Sequence, residues 1–124
     1  MALVLHESAE MYLETIYILN QKLEGVHAVD IAKSMGYSKP TISEWIHKLA
    51  KGGLVSIDSN SHITLTEEGE AIATRIYDRH VLLTDFFQMI GVTHAVAEND
   101  ACRIEHYISD TTIDALKKHI ASLD

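Results

Sequence analysis

"VDIAKSMGYSKPTISEWIHKLAKGGLV", Val29 to Val55, holds three residues whose spacing decides the fold: Ala32, Gly36 and Ile42, in the order A-x3-G-x5-I. A small residue at the first position lets two helices approach, glycine takes the turn between them, and a branched residue packs back into their angle. Those are the requirements of a helix-turn-helix. The spacing predicts a short helix over Val29 to Met35, stopped by Gly36. Ser38 then caps a second helix, with Pro40 in its first turn, where a missing N–H costs nothing. Ile42, Ile46 and Leu49 line the inner face of that helix. Past "KGG" the apolar period changes to two in "LVSIDSNSHITLT", and "DSNS" reads as the turn of a β-hairpin. Helix, turn, helix and hairpin in this order make a winged helix-turn-helix; an α-hairpin in an unrelated core is the alternative.

Working outward, Met11, Tyr12, Ile16, Tyr17 and Leu19 keep an apolar stripe along a helix expected from about Glu7 to Leu23, stopped by Gly25. Downstream, Thr66 is placed to cap a long helix through "EEGEAIATRIYDRHVLLTDFFQMIG", ended by Gly91. Two further helices are expected around Ala95 to Ile108 and Ile113 to Leu123, the second capped by Asp110 or Thr111. The fold class is therefore mainly α, with a winged helix-turn-helix over residues 1–66 and an all-helical domain over residues 67–124. A chain of 124 residues with 47% hydrophobic content can fill one ordinary core and a small satellite one. No apolar run approaches the roughly 18 to 20 residues of a membrane span, and "MALVLHESAE" lacks the flanks of a signal peptide. A cytoplasmic protein without a membrane partner is expected.

The net charge of −8 argues against non-specific coating of nucleic acid, but the charge is uneven. His27 to Leu65 carries Lys33, Lys39, Lys48 and Lys51 against Asp30, Glu44 and Asp58, while the segments on both sides are acidic. Only this middle part suits phosphates. On the second helix of the motif, Lys39, Thr41, Ser43, Glu44, His47, Lys48 and Lys51 point outward, with short polar groups near its start for base edges and lysines further on for phosphate. Trp45 interrupts that face and is expected to pack under the wing.

A second pattern lies in "NDACRIEHYISD", Asn99 to Asp110, where Cys102, Glu105 and His106 stand at i, i+3 and i+4. On a helix these share one face, which brings a thiolate, a carboxylate and an imidazole together as metal ligands. Met11 and Glu14 repeat the i, i+3 spacing on the first helix, and "YDRHVLL" offers His80. Each has a plainer reading: a small buried cysteine, a core methionine, a solvated glutamate, a histidine at a helix surface.

With these segments in hand, the chain resembles the diphtheria toxin repressor and manganese transport regulator family of metal-activated transcriptional repressors. The resemblance covers nearly the whole chain and rests on "SAEMYLETIYIL", "VDIAKSMGYSKPTISEWIHKLAKGGLV", "ITLTEEGEAIATRIYDRHVLL" and "DACRIEHYISD". It implies a DNA-binding domain whose first helix also donates metal ligands, and a helical domain for metal binding and dimerisation. In the iron-responsive branch the primary site is similar to Met11, Cys102, Glu105 and His106. The manganese branch has an aspartate at the position of Met11 and a glutamate at that of Cys102, with Glu14 and His80 also ligating. This chain combines ligands of both.

Thr84 and Glu98 stand where the iron branch has a glutamate and a histidine of its ancillary site, and the length leaves no room for that branch's SH3-like third domain. The resemblance further implies DNA contacts from Ser38, Pro40, Thr41 and Ser43, with Glu44 where the iron branch has a glutamine. The resulting expectation is a repressor of metal-homeostasis genes that is not an enzyme. It would use Fe(II), or next Mn(II), as corepressor, accept Co(II), Ni(II) or Zn(II) in vitro, and bind a palindromic double-stranded operator as a homodimer, with recognition helices ~34 Å apart. Phe86, Phe87, Met89, Ile90 and Val92 with Ile113, Leu116 and Ile120 are the expected dimer surface. The alternatives are a winged-helix regulator answering to a small molecule, and a metallohydrolase; the second lacks an H-E-x-x-H helix and an evident general base.

Overall fold

The computed structural model describes residues 2–123, with side chains from Ser8 onward. Six helices and a hairpin follow in the order α1 (Ala2–Lys22), α2 (Ala28–Met35), α3 (Lys39–Lys51), β1 (Val55–Ile57), β2 (Ile63–Leu65), α4 (Glu67–Met89), α5 (His94–Ile104) and α6 (Asp110–Ser122). The chain divides into two compact units, one ending at Thr74 and the other beginning at Arg75. That division falls inside α4, because Ile72 and Ala73 still pack into the first core.

In the first unit Gly36 ends α2 in the left-handed region, at φ 73°, and its N–H returns to the Ala32 carbonyl at 2.9 Å. A side chain at this φ would be strained, which is why the turn needs glycine. The Ser38 hydroxyl accepts the Thr41 N–H at 3.4 Å and starts α3, with Pro40 in the first turn. Ile31 of α2 and Ile42, Ile46 and Leu49 of α3 are buried against Tyr12, Leu13 and Ile16 of α1. Each large apolar side chain so buried contributes about 1.5–3 kcal/mol. Val55 and Ile63 close the core from the wing, whose strands pair Val55 with Leu65 and Ile57 with Ile63.

The wing turn is held by Asp58, whose Oδ1 accepts the N–H groups of Asn60 at 2.8 Å and His62 at 2.9 Å. The His62 amide, above all, holds this carboxyl below the ordinary carboxylate range, and the Asn60 amide and the His62 and His27 imidazoles add to it. A depressed folded value means that the clamp's contribution is present above the ordinary value of 3.8 and is lost only as pH falls through the lowered one. Trp45 does not pack under the wing as expected. Its ring stacks on Tyr12 of α1, with centroids 5.1 Å apart, and Lys48 Nζ lies 5.0 Å from its centroid. A long helix offers an aromatic ring more surface to cover than strands of three residues do.

The second unit has its own core of Leu83, Ala101 and Ile113, joined by Leu82, Phe87, Ile108 and Leu116. Of the expected dimer surface, Ile113 is buried in this core, and Phe87 and Leu116 pack against it while staying half-buried. Met89 and Ile90 remain 51% and 64% exposed. Two helix ends also differ from expectation. α5 stops at Ile104, before Glu105 and His106, and α6 is capped by Ser109, whose hydroxyl accepts the Thr112 N–H at 3.2 Å, not by Asp110 or Thr111. Serine is as good a cap as either, and one residue earlier it completes the first turn.

Gly69 lets the first turn of α4 rest on the Leu54 backbone, where an added Cβ would overlap the Leu54 carbonyl oxygen. Gly69→Ala should cost about 1–3 kcal/mol or more, as overpacking against backbone does. Gly25→Ala meets the His62 ring at 2.5 Å, a partly exposed imidazole that can swing away, and should cost less. Urea unfolding midpoints of the two variants check this order.

Candidate metal centre and nucleic-acid surface

α4 presents Arg79 and His80 in succession, both directed at the segment that joins α5 to α6. His80 Nδ1 lies 3.3 Å from Glu105 Oε1, and His80 Nε2 lies 3.9 Å from Glu98 Oε2. That same Glu98 oxygen is 3.7 Å from His94 Nε2. Glu105 is 0% exposed, and its second oxygen, Oε2, is buried with no hydrogen-bond partner. A buried carboxylate costs several kcal/mol unless a hydrogen bond, a cation or a metal compensates it. An unsatisfied carboxylate oxygen beside an imidazole nitrogen therefore fits a divalent first-row ion, for which oxygen and imidazole donors are suited. Thr84 Oγ1, one turn beyond His80 on α4, is likewise buried without a partner.

The position of Glu105 comes from the end of α5. Its N–H still bonds the Ala101 carbonyl at 3.0 Å, and the Ile104 carbonyl then accepts both the Tyr107 N–H at 3.0 Å and the Ile108 N–H at 3.1 Å, a tightened turn that closes the helix. Arg79 secures this turn. Its guanidinium is 8% exposed; Nη1 donates to the carbonyls of Glu105 at 3.0 Å and Ile108 at 2.6 Å, and Nη2 donates to the Asp110 carboxylate. Sequence reading passed over Arg79 because a single arginine on a helix has no pattern; the available signal was its place directly before His80.

The six expected ligands are placed as follows. His80 and Glu105 are brought together in the second unit. Cys102 is exposed and His106 half-buried, and among the described residues no close group of three donors includes either. Glu105, at the C-terminal end of α5, keeps right-handed helical backbone and is buried, whereas Cys102 three residues before it is exposed. Met11, half-buried, and Glu14, buried, lie one turn apart on α1 in the first unit, where the Thr15 hydroxyl donates to the Met11 carbonyl at 2.9 Å.

On α3, Ser38, Lys39, Pro40, Thr41, Glu44, His47 and Lys48 are exposed, and Ser43 is half-buried. Ser38 is engaged at the helix start, with its hydroxyl 2.9 Å from that of Thr41. His47 Nδ1 lies 2.7 Å from the Ser43 carbonyl, and Lys48 Nζ lies 3.7 Å from Glu44 Oε1. Lys39, Ser43 and His47 face His27, Ile57 and Ser61 across a cavity of about 370 Å³ between α3 and the wing. Cationic, hydroxyl and imidazole groups on one helix beside a hairpin make a surface that can follow a groove and its phosphates.

Two family models match the chain: "iron dependent repressor, N-terminal DNA binding domain" over residues 4–63, and "iron dependent repressor, metal binding and dimerisation domain" over residues 66–124. The transcriptional regulator MntR of Escherichia coli is 32% identical over 111 residues, covering 90% of this chain and 72% of its own length. The iron-dependent repressor IdeR of Mycobacterium tuberculosis is 34% identical over 107 residues, covering 84% of this chain and 46% of its own. Among solved structures, a manganese-dependent transcriptional repressor in complex with manganese superposes with a TM-score of 0.83 at 30% identity, over 91% of this chain and 52% of that one. The chain thus spans about half the length of the iron-dependent relative and of the solved repressor. No helix among the described residues is long and apolar enough to cross a membrane.

If the unsatisfied oxygen of Glu105 is a metal donor, its charge is a burden to the metal-free protein. Glu105→Gln should raise the metal-free melting temperature and abolish the rise expected of wild type on adding Mn(II) or Co(II). Thermal melts with and without each ion check both halves.

Proposed function

Since the chain belongs to the iron-dependent repressor family, we propose that it represses metal-homeostasis genes by binding a palindromic operator as a homodimer when Fe(II), or next Mn(II), is bound. The family is one of DNA-binding transcriptional regulators, not of enzymes. The observation that carries the metal reading is the buried Glu105 carboxylate, with one oxygen at His80 and the other unsatisfied. Glu105 and His80 would be the inner donors, with Cys102 and His106 from the same segment and Met11 and Glu14 from α1 completing the set that the resemblance implies. A bound divalent ion would supply the positive charge that Glu105 lacks.

In the ligand set that the resemblance implies, Met11 and Glu14 lie on α1 and the other donors on residues 80–106. A metal held by such a set would favour the DNA-binding arrangement by the difference in its affinity between arrangements. A coupling on the order of 1–3 kcal/mol is enough to change operator occupancy. A thioether and a thiolate in the set move preference from Mn(II) toward Fe(II), and Glu14 pulls the other way. On DNA, Ser38, Lys39, Pro40, Thr41, Ser43, Glu44, His47 and Lys48 form the contact face. Glu44 accepts from cytosine but donates to nothing, and it must exchange its partner Lys48 for a base edge.

The test is anaerobic titration of Fe(II) and Mn(II) while following binding to a duplex selected from a random pool in the presence of metal. Binding should require metal, and wild type should respond to Fe(II) at the lower free concentration. Cys102→Glu should shift activation toward Mn(II) and remove sensitivity to thiol oxidation. Binding that is equal in chelator defeats the proposal. With the same duplex, Lys48→Ala should weaken binding across all sequences and reduce the salt slope by about one, while Ser43→Ala should mainly relax base preference. Competition with mutated duplexes at several salt concentrations separates the two.

A further inference from the structure

We propose that Arg79 is a positioning residue for the metal centre: its buried guanidinium joins the end of α5 to the start of α6 and so holds Glu105 against His80. The inference rests on the metal reading above. Its geometry lies wholly within the second unit. Arg79 takes the main-chain carbonyl of Glu105 at 3.0 Å while its neighbour His80 faces the Glu105 carboxylate at 3.3 Å. α4 therefore grips the same residue twice, by backbone and by side chain. The remaining contacts, to the Ile108 carbonyl at 2.6 Å and the Asp110 carboxylate, close the turn that also carries His106.

The carbonyls at a helix C-terminus have no partners within the helix and carry its negative end, so a cation that meets them is doubly favoured. A planar fork with several fixed donors can reach two carbonyls and a carboxylate together; a lysine ammonium at the end of a flexible stem cannot hold all three in one geometry. Without that hold, among the described residues only the His80 contact keeps the Glu105 carboxylate in place, and the turn can relax to bring its unsatisfied oxygen to water. Arg79 does not touch the ion in this scheme. It fixes the residue that does, as partners of metal ligands commonly do, at a cost of about 10- to 100-fold in affinity when removed.

Wild type, Arg79→Lys, Arg79→Met, Asp110→Asn and Glu105→Gln are titrated with Co(II) in the absence of oxygen by calorimetry and visible absorption, beside metal-free thermal melts. Arg79→Lys is expected to fold without metal but to melt below wild type, to bind Co(II) at least about ten-fold more weakly, and to show a changed visible band from altered coordination. Asp110→Asn keeps both carbonyl contacts and should show a smaller change in the same direction. Wild-type affinity and an unchanged band in both Arg79 variants would overturn the inference. If the Arg79 variants are unfolded without metal, Asp110→Asn decides it: weaker binding with a changed band supports the role, and wild-type behaviour removes it. Failure of the metal reading itself looks different, since wild type would then take up no Co(II), or Glu105→Gln would bind as wild type does.

Discussion

The Glu105 carboxylate, wholly out of solvent with one oxygen unsatisfied, is the constraint around which the second unit is arranged. Burying such a group is unfavourable by several kcal/mol, and chains retain it where a charge is needed in that place. The unit gives it His80 on one side and fixes its backbone through Arg79. Leu83, Ala101 and Ile113 form a core that contributes stability without contributing chemistry. If a metal binds there, it would stabilise the unit by mass action, which is the link between metal and fold that the proposal uses.

The first unit follows a different logic. Its core includes Leu13, Ile16, Ile31 and Ile42 at 0% exposure beside the buried Tyr12, Glu10 and Glu14 of α1, while α3 carries a row of exposed polar groups. Specificity there depends on a rigid mount, which the left-handed Gly36, the Ser38 cap and the Tyr12–Trp45 stack provide. Tyr12 follows Met11 directly on α1, so the element proposed to carry metal donors also supports the recognition helix. A net charge of −8 opposes non-specific attraction to DNA.

The winged helix-turn-helix was legible in the sequence because local rules determine it. Ala32, Gly36 and Ile42 act through the steric demands of one tight turn, Ser38 and Pro40 through the geometry of one helix start, and the hairpin through a change of period. The presence of metal-ligand residue types near the C-terminal helices was legible too, from composition and spacing. The end of α5 was less legible: the helix runs to Ile104 and not to the expected Ile108, and a buried Glu105 follows an exposed Cys102. Arg79 of α4 meets the carbonyls of Glu105 and Ile108 there, a long-range contact that no local pattern encodes.

Tertiary structure alone decided which side chains were buried and what held them. Trp45 stacks on Tyr12 of α1, Ile113 is buried in the core of its own unit, and Phe87 and Leu116 pack against that core half-buried. Arg79 acquired its role from three acceptors brought within reach by the folding of residues 105–110, the farthest 31 residues away in the chain. Helix starts and turns are properties of a few consecutive residues, and the sequence determines them by itself. Burial and long-range hydrogen bonding are properties of where distant residues meet, and only the packed chain can assign a solvent-free carboxylate to one glutamate among many.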